Sequence, residues 1–406
     1  KTAYEIYQCD WSSDVCSSDL FAAWAKELAA QTDFSFDLET TSLSLHEAKI
    51  VGVSFCWSDE GAWYVPLGHS EGEDQVSWHE FSKVVGPIFA NPKVAKCGQN
   101  IKYDIGVLLI HGIAVHGVSF DSMVAAYLLN PDSRSFNLTA LAHEFLQLPV
   151  IEYEEVTDGV EDFSGVPIPK ATRYACQDAH YAWLLKGKLL PLIEEAKLSK
   201  VLNELEVPLI LLLAKMETAG VKVDREKLQQ MSAEFEDQLK SLESRIYSLA
   251  GCEFNINSTK QLAEVLFTKL AISTKGVKKT KSGFSTDSSV LEKLAESHEL
   301  PKLILEFRSL HKLKSTYTDA LQEQVCGKTG RVHTRLNQTI TSTGRLSSSD
   351  PNLQNIPIKS QEGGRIRSAF IPEKGSFFVA ADYSQIELRL LDRKSTRLNS
   401  SHTDIS

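Results

Sequence analysis

Phe34-Ser35-Phe36-Asp37-Leu38-Glu39-Thr40-Thr41 sets two carboxylates two positions apart behind an apolar, aromatic lead. Residues i and i+2 of a β-strand project from one face, so a strand here points Asp37 and Glu39 the same way. Two anions a few ångströms apart repel each other, and the commonest remedy is a divalent cation with oxygen ligands. The pair is half of a metal site if further carboxylates join it. Taken alone, a D-x-E pair more often describes two solvent-facing acids at a strand end.

The surrounding pattern is mixed α/β. A short helix over 21–30 precedes the strand, and 50–57 and 62–67 alternate like antiparallel neighbours separated by turn residues. A helix over 76–90 leads to a short strand at 94–97. Gly98-Gln99-Asn100-Ile101-Lys102-Tyr103-Asp104 opens another helix, in which Asn100 and Asp104 are four apart and share a face. Asp121 caps the helix that ends at Asn130-Pro131, and a later helix from about Lys170 carries Tyr174 and Asp178, again four apart.

Asp37 and Glu39 on a strand, Asp104 with Asn100 on one helix, and Tyr174 with Asp178 on a later one make a four-carboxylate set. In this order the set resembles the three motifs of the DEDD-type 3′→5′ exonucleases, in the subgroup whose third motif is Y-x-x-x-D, built on a ribonuclease H-like fold. The resemblance implies two cations, Mg²⁺ or Mn²⁺, because every ligand is a hard oxygen. Asp37, Glu39 and Asp178 would hold the ion that activates water, Asp37 and Asp104 the second, and Tyr174 would orient the attacking water. Two such ions roughly 3.5 to 4 Å apart can stabilise both the attacking and the leaving oxygen of a phosphodiester. His69, His79 and His143 share no ligand spacing and are read as scattered core or surface residues.

Bulk properties narrow the class. The 406 residues, 42% of them hydrophobic, allow two or three domains with real cores. No run of about 18 apolar residues and no secretion signal is present, so the chain reads as a cytoplasmic monomer without a membrane partner. Seven scattered cysteines without a C-x-x-C pair indicate neither a disulfide framework nor a thiolate zinc site. The net charge of −10 hides an asymmetry: residues 1–255 carry 20 Lys and Arg against 38 Asp and Glu, whereas 256–390 carry 20 against 13. Polyanion binding is therefore expected in the second part.

Past Asp178 the pattern becomes helical. A strongly apolar helix over 202–219 closes at Gly220. Asp224 caps a long one striped by Leu228, Met231, Phe235, Leu239, Leu242, Ile246 and Leu249 and stopped by Gly251. Lys275, Lys278, Lys279 and Lys281 form a basic tip, read as mobile and suited to phosphates. Segments 310–317, 341–348 (Thr341-Ser342-Thr343-Gly344-Arg345-Leu346-Ser347-Ser348), 350–357 and 381–389 (Ala381-Asp382-Tyr383-Ser384-Gln385-Ile386-Glu387-Leu388-Arg389) resemble the family A DNA polymerases of bacteria. This likeness covers roughly residues 21–391. It implies a 3′→5′ exonuclease domain over 21–200, then a mainly helical thumb and an incomplete α+β palm over 201–391.

Within that family the strand at 377–381 would be buried and would deliver Asp382 to both catalytic metals. Tyr383, Gln385 and Glu387 would meet the nucleotide, Glu387 by crowding a ribose 2′-hydroxyl. Arg345 would reach the minor groove, and Asn100, Lys314, Asn355 and Arg367 would make further DNA contacts. The expected partners are a single-stranded DNA 3′ end, a primer-template and, for the intact parent, deoxynucleotides. A polymerase site needs a second carboxylate and a fingers helix from beyond Leu391, so this chain is not expected to extend primers, and 377–379 is expected to expose apolar surface. Residues 9–19, with Ser-Ser-Asp twice, and the Ser/Arg/Asn-rich 392–406 resemble translated sequencing-adapter reads and are set apart as foreign. A stand-alone exoribonuclease with the same acids and a non-catalytic DNA-binding scaffold are the competing classes.

Overall fold

The structure, a computed structural model, describes residues 18–71, 75–275, 277–280, 283–358 and 360–400, with backbone alone for 18–20, 280 and 394–400. Lys281, most of the 9–19 segment and residues 401–406 lie outside the described residues.

Helix α1 (Ser18–Ala29) buries Phe21, Trp24, Ala25 and Leu28, the i, i+3, i+4, i+7 face expected of an amphipathic helix. Strands β1 (Asp33–Thr40), β2 (Ile50–Ser58) and β3 (Gly61–Pro66) follow, then α2 (Trp78–Phe89), β4 (Ala95–Gly98), α3 (Ile101–Ile110), β5 (Val118–Asp121) and α4 (Ser122–Leu129). The sheet order is β3-β2-β1-β4-β5, so the strand with the paired carboxylates lies at the centre. It runs antiparallel to β2 along its length but parallel to β4 only as far as Ser35, opposite Cys97. Past that point the strands part and leave a crevice at their carboxyl ends, where open α/β sheets place ligands.

The two faces of β1 are built differently. Phe34, Phe36 and Leu38 enter an aromatic core with Trp24, Phe55, Phe81 and Phe89; the Phe36 and Phe89 rings meet edge-on at 4.8 Å. The opposite face, carrying Ser35, Asp37 and Glu39, is covered by the 28-residue helix Ile168–Glu195. That helix presents Ala171, Ala175 and Ala179 to a smaller cluster with Val51, Cys56 and Tyr64. Steps of four place the alanines on one helix face, and their lack of bulk lets the backbone come close: Ser35 Oγ donates to Ala179 O at 2.6 Å. Close approach also fixes Gly52, opposite Glu39 on β2, since a Cβ there would stand 2.1 Å from the Tyr64 hydroxyl.

The second part is helical. Helix Val207–Ala219 closes on Gly220, and Arg225–Ala250 is capped by Asp224, whose side chain accepts from Lys227 N. Its buried stripe runs Leu228, Met231, Phe235, Leu239, Leu242, Ile246, Ala250, packed against Glu299–Leu313. Leu249, assigned to the stripe from its spacing, is 43% exposed, and Ala250 takes the inward position. The first core does not end at residue 200: Leu202, Val207, Ile210 and Ala214 belong to it, because Val207–Ala219 packs on α3. Where that helix meets α3, buried Glu217 pairs with Lys102 and accepts from Leu336 N at 2.6 Å.

The strand expected at 377–381 is absent, whereas the apolar exposure expected at 377–379 is found. Residues 377–381 form no strand; Phe377, Phe378 and Val379 are 89%, 58% and 90% exposed. A buried strand needs a ladder partner, and none among the described residues pairs with this stretch.

Removing Glu217 strands a mostly buried ammonium and a backbone N–H together. Glu217→Ala should cost about 3 to 5 kcal/mol, read as a shift of the urea midpoint without loss of the β-sheet signal.

Candidate active site

The close seat of the Ile168–Glu195 helix on β1 carries Asp178 and Tyr174 to the carboxylate face of the strand. One carboxylate oxygen each from Asp37, Glu39 and Asp178 lie within 4.8 Å of one another. Burial pushes all three carboxyls up; Asp37 is raised further by Asp104, Glu39 and Asp178, and Glu39 by Asp178 and Asp104. Asp178 is pushed to about 7 by burial, against hydrogen bonds from Gln177 and Tyr174. The Tyr174 phenol is itself held far above its usual range by burial and by Asp178, so it stays a donor.

Asp104 is 3% exposed and stands behind this trio. Its Oδ1 accepts from Leu38 N at 3.3 Å, the amide that lacks a ladder partner where β4 diverges from β1. Asn100 shares no helical face with it: it precedes α3 in a left-handed conformation (φ 51°), because the chain turns sharply out of β4 there. Asp121 does more than cap α4 through Val124 N at 3.1 Å; its Oδ2 also accepts from Ile101 N at 2.8 Å. One buried carboxylate thus holds two helix N-termini and aims α3 at the strand.

The trio opens on a cleft of about 920 Å³ lined also by Tyr174, Asn100, Arg134 and, from the second part of the chain, Thr339 and Ile340. The loop bearing Thr341 and Gly344 docks on α4: the Tyr127 hydroxyl donates to Thr341 O at 2.8 Å and accepts from Gly344 N at 3.1 Å. Reading carboxylates alone passed over Ser35, Arg134 and the second role of Asp121, its bond from Ile101 N. The alanine spacing 171, 175, 179 was the available signal for the helix contact.

The remaining nominated residues are scattered. Lys275, Lys278 and Lys279 are exposed, and Lys279 stacks on Phe284 at 5.3 Å across a hairpin of Lys279–Thr280 and Gly283–Phe284, so the tip has a paired backbone. Lys314 is engaged by Asp319 at 2.8 Å and Glu236 at 3.3 Å. Asn355 and Arg367 are exposed. Arg345 reaches Glu387 at 3.3 Å with both side chains about three-quarters exposed. Asp382, Tyr383 and Gln385 lie on an exposed segment before the Ile386–Ser400 helix and do not line the carboxylate cleft. His69 is a core residue, bonded to the Tyr64 hydroxyl and Val166 O at 2.8 Å each.

Residues 14–194 match the family model of a 3′-5′ exonuclease and residues 225–398 that of DNA polymerase family A. Similar curated proteins include DNA polymerase I of Synechocystis sp., 43% identical over 91% of this chain and 38% of the relative. DNA polymerase I of Pseudomonas aeruginosa is 42% identical over 91% of this chain and 42% of its own length. Among solved structures, the POL domain of Pol1 from M. smegmatis, in complex with DNA primer-template and dNTP, matches with a TM-score of 0.77 at 32% identity, over 91% of this chain and 60% of that one. This chain belongs to the family A DNA polymerases with a 3′-5′ exonuclease domain. It spans about two fifths of the length of these curated relatives.

The exonuclease family is metal-dependent, and the donors here fit divalent ions. Glu39 Oε1 is buried without a hydrogen-bond partner, as expected of an oxygen arranged for a cation. Without one, the site is destabilising at neutral pH. A carboxyl with a higher pKa folded than unfolded favours folding more as pH falls from the folded value, about 7 for Asp178, toward the unfolded value of about 3.9. In chelator, Asp178→Asn should therefore melt a few degrees above the unsubstituted protein at pH 8. The gap should narrow to about a third by pH 5 and close only below about pH 4, and a divalent cation should reverse it at pH 8.

Proposed function

We propose that the sheet domain is a 3′→5′ exonuclease that hydrolyses the terminal phosphodiester of a single-stranded DNA 3′ end, with Mg²⁺ or Mn²⁺ as its ions. The observation that carries this reading is the close trio of Asp37, Glu39 and Asp178 carboxylates, each pushed up by desolvation, with an orphaned, buried Glu39 oxygen beside a roomy cleft. Asp37, Glu39 and Asp178 are the residues to hold one ion, with Asp37 and Asp104 toward a second. When bound, such ions supply a nucleophilic water and stabilise the leaving oxygen. Tyr174, kept protonated, orients the water through its hydroxyl, and Asn100 and Arg134 line the path of the strand. We assign the second part to a thumb and the start of a palm that contact primer-template, in a bacterial cytoplasmic monomer whose intact parent takes deoxynucleotides.

Asp37→Ala should abolish metal-dependent digestion of single-stranded DNA while its melting temperature in chelator stays equal or rises. Tyr174→Phe should retain about 1 to 10% of the rate. Faster cleavage of single-stranded RNA than DNA would favour the exoribonuclease reading.

A further inference from the structure

A second group of metal-ligand side chains lies between the two parts of the chain. His46 comes from the loop joining β1 to β2, and Cys326 and His333 flank the turn that leads into and out of the short Arg331–Val332 strand. A ring nitrogen of each histidine and the Cys326 sulfur lie within 4.8 Å of one another. All three residues are half-buried, beside a cleft of about 360 Å³.

Hydrogen bonding does not satisfy the two imidazoles. His46 Nε2 is 3.2 Å from Thr218 O, His333 Nδ1 is 2.8 Å from Glu217 O, and the two nitrogens are 3.1 Å from each other. Carbonyls only accept, so two N–H groups would face one another if each nitrogen served its own carbonyl. A cation bound by both lone pairs removes that clash at the cost of the two carbonyl contacts, and the spacing is close to the roughly 3.3 Å between two nitrogens on a tetrahedral zinc ion.

The surroundings favour positive charge and prepared ligands. Glu217 and Thr218 are in the last turn of the Val207–Ala219 helix, where carbonyls and the macrodipole are negative. Gly220, at φ +60°, leaves room that a Cβ would fill at 2.6 Å from the His333 ring. Thr329 Oγ1 lies 2.7 Å from His333 Nε2 and fixes the ring.

We propose that His46, Cys326 and His333 form a binding site for a borderline divalent transition-metal ion, Zn²⁺ first, that staples the β1–β2 loop to the helical part. Nitrogen and sulfur donors select such an ion over the hard cations suited to the all-oxygen trio. Thr41, Ser42 and Leu43 of the same loop wall the carboxylate cleft, so an ion here fixes one side of that cleft.

The test is Co²⁺ titration of reduced, metal-free protein in saturating Mg²⁺, followed by a thiolate-to-metal charge-transfer band. One equivalent should develop the band. Cys326→Ser should abolish it and His46→Gln should weaken Zn²⁺ binding at least tenfold against a chromophoric chelator, while Asp37→Ala keeps both. Melting of each variant in chelator checks that it is folded. Absence of the band, or a band of equal intensity in folded Cys326→Ser, would overturn the proposal, as would Zn²⁺ affinity unchanged in folded His46→Gln.

Discussion

The structure depends on holding like charges together at the wall of a cleft, Glu39 buried and Asp37 and Asp178 half-buried. Asp37, Glu39 and Asp178 gain nothing from one another, and their desolvation and mutual repulsion oppose folding. What holds them is packing elsewhere: aromatic residues under one face of β1 and an alanine-lined helix laid against the other. Stability made in the two cores is spent at the crevice, the usual arrangement for a site tuned to bind cations.

The same economy explains the neighbouring polar groups. Where β4 leaves β1, an amide would be orphaned; Asp104 supplies its acceptor and is thereby drawn behind the trio. Asp121 then anchors the start of α3, so the position of Asp104 follows from a second buried carboxylate. Each charge is tolerated because backbone N–H groups converge on it.

The two parts of the chain meet through buried polar contacts. Glu217 ties α3 to the strand at Leu336, and Tyr127 receives the loop that carries Thr341 and Gly344. Thr339 and Ile340 consequently help wall the carboxylate cleft, although they lie far from it in sequence. The polymerase-type motif around Asp382 has no such embedding: its flanking apolar residues face solvent and its acid stands apart from the trio.

Local pattern by itself determined a good deal. Alternation, capping residues and three-to-four spacing were enough to place the strands, the helices and the four acids in order, because those features depend on neighbours a few residues away. The distinctive motifs also identified the family. Tertiary structure alone decided that Asp104 sits behind the trio, that Leu249 turns outward, and that 377–381 finds no strand partner. It alone brought His46 to Cys326 and His333, almost three hundred residues away. Periodicity reports which face a residue occupies, but a hydrogen-bond ladder or a ligand cluster needs a partner whose distance is set by the packing of the whole chain.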